Sequence, residues 1–445
     1  MSEATLTALR AGQLQGVTRL DLSCGLREFP SEIFALADTL QVLNLSGNAL
    51  SELPGDLHRL KQLRIIFASD NAFTELPRAL GRCPQLEMVG FKSNRIAHVR
   101  ADALPPRLRW LILTDNAITV LPDALGNCTR LQKLMLAGNA LTALPDSLAR
   151  SEALELLRLA ANRFEALPTW LPALPRLAWL AVAGNPLTAA REEQARHAAA
   201  VPSVDWARLR FGAVLGEGAS GVIHAAQWQR EDGPLEPVAV KIFKGGVTSD
   251  GWPTSEMAAS LMAGQHPHLI GLRGRLTRHP EGREGLVLQR IGADWQPLAG
   301  PPSFATCTRD VYAPGTAFDA ATVRQLAADV AAAMAHLHAQ GLVHGDLYAH
   351  NVLWRPGSDG AIGRALLGDF GAAACPPEAL QPALRALDVR AFGWLLDELL
   401  AHGPINAVED LRDIRALRDD CLYTTPAARP AFAAMLARMD RSLAH

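Results

Sequence analysis

Asp346, Asn351 and Asp369 are the residues whose types and spacing can do chemistry. Asp346 stands five positions before Asn351 in Leu342-Val343-His344-Gly345-Asp346-Leu347-Tyr348-Ala349-His350-Asn351-Val352-Leu353, and Asp369 follows in Leu367-Gly368-Asp369-Phe370-Gly371. One carboxylate to orient an attacking hydroxyl, with an amide and a second carboxylate able to hold Mg²⁺, is the set that phosphoryl transfer requires.

The elements that must position them lie upstream. Leu215-Gly216-Glu217-Gly218-Ala219-Ser220-Gly221-Val222-Ile223 is glycine-rich, and Val238-Ala239-Val240-Lys241 places a lysine 20 residues after Gly221. A lone Gly-x-Gly-x-x-Gly also occurs in dinucleotide-binding units, where the glycines open a helix. Here Val222-Ile223-His224 and Gln227-Trp228 read as a strand instead. Glycines at that turn let the backbone close over phosphates, and Lys241 brings a point charge to them.

Loop, lysine, Asp/Asn pair and Asp-Phe-Gly, in this order, resemble the eukaryotic-type protein kinase family from about Leu209 to Leu443. The resemblance implies ATP and Mg²⁺ as cofactors. It implies Asp346 as catalytic aspartate, Asn351 and Asp369 as metal ligands, Lys241 as phosphate lysine and Glu256 as its ion-pair partner. It further implies Gly216, Gly218 and Gly221 over the phosphates, and Ile223, Ala239 and Leu353 as walls of an adenine slot. Gln289 and Ile291 fall in the hinge, Asp388 and Gly393 at anchor points of a central helix, and Arg429 at the arginine that pairs with the glutamate ending the activation segment.

Departures from the family pattern are as informative. Gly345 replaces the arginine that reads an activation-loop phosphate, and residues 371–387 contain no Ser, Thr or Tyr, which excludes switching by phosphorylation there. Pro376-Pro377-Glu378, standing in for Ala-Pro-Glu, ends only nine residues after Asp369. Tyr348 takes the place of the lysine usual in serine/threonine kinases, and His350 could supply part of the missing positive charge. Protein kinase of serine/threonine type is the first reading. A pseudokinase or scaffold that binds nucleotide and partners, and a small-molecule phosphotransferase, which His-Gly-Asp-x-x-x-x-Asn also resembles, are the alternatives.

The first two hundred residues repeat at a spacing of 23, once 22. Leu40-x-x-Leu43-x-Leu45-x-x-Asn48-x-Leu50-x-x-Leu53-Pro54 recurs through Asn71, Asn94, Asn116, Asn139, Asn162 and Asn185, and Val17/Leu20/Leu22 opens the series. About eight such copies resemble the leucine-rich repeat family, in which each copy contributes one strand and cannot bury its apolar face alone. The expected fold is an α/β leucine-rich-repeat solenoid over 1–204, capped by helices over 4–15 and 189–201, followed by a two-lobed α+β protein-kinase-like domain over 205–445. Val42, Ile65, Phe67, Met88, Trp110, Ile112, Met135, Leu156 and Trp179 flank the strand leucines, predicting an exposed apolar stripe on the concave side. Its expected partner is a protein, or the chain's own kinase domain, with Phe67, Trp110, Ile112, Met135 and Trp179 in contact.

With 445 residues, 49% hydrophobic, 20% charged and a net charge of −2, the chain offers no electrostatic case for nucleic acid or anionic membrane. Six scattered cysteines show no metal-ligand or disulfide spacing. No signal-like N-terminal run and no membrane span is evident, so a cytoplasmic location is the default expectation, with export into a host by specialised machinery left open.

Overall fold

The computed structural model describes residues 2–198, 201–231, 233–357, 363–404 and 410–443. Backbone contacts divide the chain into two compact units, 1–177 and 178–445. The division falls upstream of the end of the repeat pattern: the strand and cap helix of the last repeat belong to the second unit.

The first unit opens with helix α1 (Ser2–Arg10), followed by the strands β1 (Arg19–Asp21), β2 (Val42–Asn44), β3 (Ile65–Phe67), β4 (Met88–Gly90), β5 (Trp110–Ile112), β6 (Lys133–Met135) and β7 (Leu156–Arg158). They pair in parallel and in sequence order. The central residue of each strand, from Leu20 and Leu43 to Leu134 and Leu157, points into the core and is buried. After each strand the chain turns through a left-handed residue, glycine at Gly25, Gly47 and Gly138 but Asp70, Ser93, Asp115 and Ala161 elsewhere. From β2 onward the asparagine that follows then ties neighbouring copies together. Asn162 donates to Leu136 O and Leu159 O and accepts from Leu141 N, each within 3.0 Å. These amides satisfy backbone groups that the stack would otherwise bury unpaired. On the far side Pro30, Pro77, Pro122 and Pro145 start short 3-10 turns, because a proline φ near −65° is already set for them.

The apolar stripe is not exposed as expected. Val42, Phe67, Trp110, Ile112 and Met135 are half-buried, and Ile65, Met88, Leu156 and Trp179 are buried. Neighbouring rungs cover one another: a Cβ added at Gly90 would lie 2.7 Å from the Phe67 ring, and the Trp110 indole N–H points at Met135 Sδ, 3.3 Å away. The ring of Trp110 also lies under the Lys133 ammonium, 4.2 Å from its centroid.

The second unit begins with β8 (Trp179–Ala181) and α2 (Pro186–Ala198). Next come β9 (Ser203–Asp205), β10 (Leu209–Glu217), β11 (Gly221–Gln229), β12 (Leu235–Phe243), α3 (Pro253–Ala263), β13 (Leu272–Thr277) and β14 (Gly285–Gln289). These strands form one sheet in the order β10-β11-β12-β14-β13-β9, antiparallel except for the β13–β9 pair. The remainder is mainly helical: α4 (Ala320–Ala339), α5 (Gln381–Ala401), α6 (Arg412–Tyr423) and α7 (Phe432–Leu443), with β15 (Gln296–Pro297), β16 (Val352–Arg355) and β17 (Arg364–Leu367) in a small sheet. Gly393 lets α5 and α6 approach closely, since a Cβ there would lie 2.7 Å from Cys421 Cβ. No described helix is long and apolar enough to cross a membrane.

Candidate active site

Lys241 lies on β12 opposite Ile223 of β11. Glu256, in the first turn of α3, is buried and forms an ion pair with the Lys241 ammonium. Burial pushes the Glu256 carboxyl up, the charge of Asp369 adds to this, and Lys241 opposes it. Ile223, Lys241, Glu256, Leu288, Asp369 and Phe370 line one cavity. Asp369 has φ +54° and accepts from Gly371 N at 3.0 Å, a local turn that a short acidic side chain tolerates.

The glycines divide by function of space. A Cβ at Gly221 would lie 2.5 Å from Ile242 O, so strand pairing itself demands glycine there. At Gly216 and Gly218 nothing lies within 4 Å, which leaves open room on the loop for phosphate oxygens.

The loop carrying Asp346 is held from below by α5. Asp388 is almost fully buried, and its carboxylate accepts from His344 N and Gly345 N at 2.9 Å each while meeting His338 Nε2 at 2.9 Å. His344 in turn bonds Gly368 O through Nε2 at 3.1 Å, linking this loop to the turn that presents Asp369. Asn351 Nδ2 donates to Asp346 O at 2.9 Å and to Asp346 Oδ2 at 3.2 Å, which leaves its amide oxygen for another partner.

Sequence reasoning missed one group here and misjudged the exposure of a second. Asp310 accepts from His350 N at 2.8 Å and meets His350 Nδ1 at 2.7 Å. Burial works against the imidazolium, but the Asp310 contact and the fields of Asp346 and Asp369 outweigh it, and the His350 pKa is raised. Trp179, expected on an exposed face, is 1% exposed. Its ring stacks on Tyr348 at 4.4 Å, and its N–H donates to Leu347 O at 3.0 Å. No sequence signal links Asp310 to His350, because Asp310 stands in a segment without a motif, whereas Trp179 was expected to touch a protein partner or the kinase domain and touches the latter.

Ala239 lies two residues before Lys241 on the same face of β12, opposite Leu288 of the cavity, while Ile291 and Leu353 are not among the residues lining it. Gln289 uses its N–H on Gly271 O at 2.7 Å and faces a separate opening with Trp295 and His266. Arg429 is corrected: it is buried and donates to Ala386 O at 2.7 Å, whereas Glu378 is exposed. The short segment after Asp369 enters α5 almost at once, so the glutamate cannot fold back onto that arginine.

Among the described residues no cluster of three His, Cys, Asp or Glu could hold a metal alone. That donor set suits Mg²⁺ bound with nucleotide, which takes one or two carboxylates and completes its shell with phosphates and water. Asp369 and the free amide oxygen of Asn351 are the residues that would hold it.

Residues 209–374 match the family model for protein tyrosine and serine/threonine kinase, and residues 39–60 and 84–141 match leucine-rich repeat models. The chain thus carries leucine-rich repeats followed by a protein kinase domain. It is similar to the non-receptor tyrosine-protein kinase TNK1 of Mus musculus, 30% identical over 220 residues that cover 44% of this chain and 31% of that protein. It is also similar to the putative cyclin-dependent kinase F-2 of Oryza sativa subsp. japonica, 31% identical over 209 residues, 43% of this chain and 61% of the relative. A bacterial relative, the serine/threonine-protein kinase PkaB of Streptomyces coelicolor, is 30% identical over 217 residues, 42% of this chain and 47% of the relative. The chain spans about a third of the length of the mouse TNK1 protein.

Proposed function

We propose that the second unit transfers the γ-phosphoryl group of ATP to a serine or threonine hydroxyl of a protein, and that the repeats select that protein. The observation that carries the reading is the gathering of Ile223, Lys241, Glu256 and Asp369 around one cavity. Asp346 accepts the hydroxyl proton as the oxygen attacks, and Lys241, oriented by Glu256, meets the phosphate charge. Asn351 and Asp369 would hold Mg²⁺, which when bound would neutralise charge on the phosphates. His350, whose pKa is raised against the opposing effect of burial by its contact with Asp310, favours positive charge beside Asp346. PkaB supports a serine/threonine acceptor, whereas TNK1 points to tyrosine, so phosphoamino-acid analysis of the product is part of the test. On the repeats, the half-buried Phe67, Trp110, Ile112 and Met135 are the contacts proposed for a protein partner. A cytoplasmic location accompanies this reading.

The test is labelled ATP with Mg²⁺ and a generic protein substrate. Asp346→Ala should lower turnover by roughly 10²- to 10⁴-fold, the range for a lost general base, with Mg-ATP affinity nearly kept. Asp369→Ala should weaken Mg-ATP binding itself. Equal activity in wild type and both variants would sink the assignment. Nucleotide binding without transfer would favour a scaffold, and transfer only to small hydroxyl compounds the alternative phosphotransferase.

A further inference from the structure

Helix α3 carries Glu256 and is bounded by glycines with positive φ, Gly251 at +131° and Gly264 at +62°. Met257 and Leu261 pack it against Phe243, Leu272 and Leu286, and a second contact bears on whether Glu256 faces Lys241.

Helix α2, the cap of the last repeat, supplies that contact. It packs along α3. Glu192 is 7% exposed and has both carboxylate oxygens engaged. Oε1 accepts from Gly184 N at 2.8 Å, within the turn that follows β8, and Oε2 accepts from Ser255 Oγ at 2.7 Å. Ser255 is 3% exposed and immediately precedes Glu256. The neighbouring Arg191 donates to Pro376 O at 3.1 Å, at the end of the short segment after Asp369. Two successive residues of one helix thus grip the two parts of the site whose placement decides whether Lys241 and Asp369 are assembled.

We propose that Arg191 and Glu192 are positioning residues of the catalytic unit: the repeat cap latches α3 through Ser255 and keeps Glu256 on Lys241 with no phosphorylated residue required. The proposal rests on the kinase reading for its consequence in turnover, and on nucleotide binding alone for its mechanism. It fits the lack of any acceptor hydroxyl in 371–387, because a latch carried by the same chain is always present.

The test uses the full chain. Ser255→Ala breaks the link to α3 while leaving Glu192 bonded to Gly184. Loss of a hydrogen bond to a buried carboxylate should weaken Mg-ATP affinity, by calorimetry, on the order of tenfold, and raise the KM for ATP in step. Glu192→Ala combined with Ser255→Ala should do no more than Glu192→Ala alone, because Glu192→Ala already removes the contact that Ser255 makes. Ser255→Thr and Glu192→Gln, which keep a donor and an acceptor, should restore most of the affinity, which a general loss of packing would not allow. Wild-type Mg-ATP affinity in Ser255→Ala, or effects of the two substitutions that multiply, would overturn the latch. A wild-type chain that binds Mg-ATP but transfers no phosphate to protein would remove the kinase reading, while the affinity comparison still decides the latch.

Discussion

Replacing Trp179 separates two contributions to the loop that carries Asp346. Trp179→Phe keeps an aromatic ring against Tyr348 but removes the N–H that donates to Leu347 O, and Leu347 is 1% exposed. Leaving that carbonyl without its partner costs about 1 to 3 kcal/mol. Trp179→Ala also removes a fully buried indole, for which truncation costs roughly 3 to 5 kcal/mol. The chain has two compact units, so a single global unfolding curve would mix their transitions. Hydrogen exchange followed by mass spectrometry reads the loop directly, since local opening free energy sets protection. Peptides covering residues 342–355 should exchange roughly 5- to 100-fold faster in Trp179→Phe. They should exchange faster still in Trp179→Ala, with turnover falling alongside. Wild-type exchange of these peptides in Trp179→Ala would refute the argument, and Trp179 would then be a bystander to the loop.

Two further outcomes follow from local geometry and charge. Gly47 has φ +71°, and a Cβ there would meet Ser23 Oγ at 2.7 Å, so Gly47→Ala should destabilise the first unit by roughly 1 to 2 kcal/mol. An unchanged thermal midpoint would show that the turn tolerates a side chain. Glu398 faces Asp310 N, Tyr312 Oη and Arg309, and burial, with the charge of Asp310 adding to it, pushes its carboxyl from 4.5 up to about 8. The folded value lies above the unfolded one, so the native state holds a proton that the unfolded chain releases. The associated stability is present below the unfolded value and is lost as pH rises through the folded one. Between about pH 5 and pH 8 the wild type should therefore lose on the order of a few kcal/mol relative to Glu398→Gln. Parallel stability profiles for the two proteins would contradict this.

What the sequence made legible were features with a fixed local geometry. The repeat asparagines bind backbone within their own and adjacent copies, so their spacing alone implied the ladder that Asn162 displays. Glu256 was legible because few acidic residues compete for Lys241. Asp388 was readable as an anchor from its place in the motif order, and it does hold the loop amides. The stripe was misjudged because periodicity tells which way a side chain points and not how far its neighbours reach over it. Trp179 was expected against a partner or the kinase domain, but its particular contact with Leu347, 168 residues away, is one that no pattern encodes. The Asp310–His350 pair joins an irregular segment to the loop across 40 residues and was equally hidden. Arg429 was placed by analogy, and the unusually short segment before Glu378 removed the partner that the analogy assumed.

Gly345 carries a consequence for how this kinase domain can be controlled. Its φ is +70°, and a Cβ would lie 2.5 Å from Leu180 O and 2.9 Å from Ala372 O. An arginine at this position is therefore not accommodated without backbone movement, because its first carbon would collide with backbone of the last repeat. Control by a phosphorylated activation segment read from this position would demand that the final rung withdraw, that the segment lengthen and that an acceptor hydroxyl be present in it.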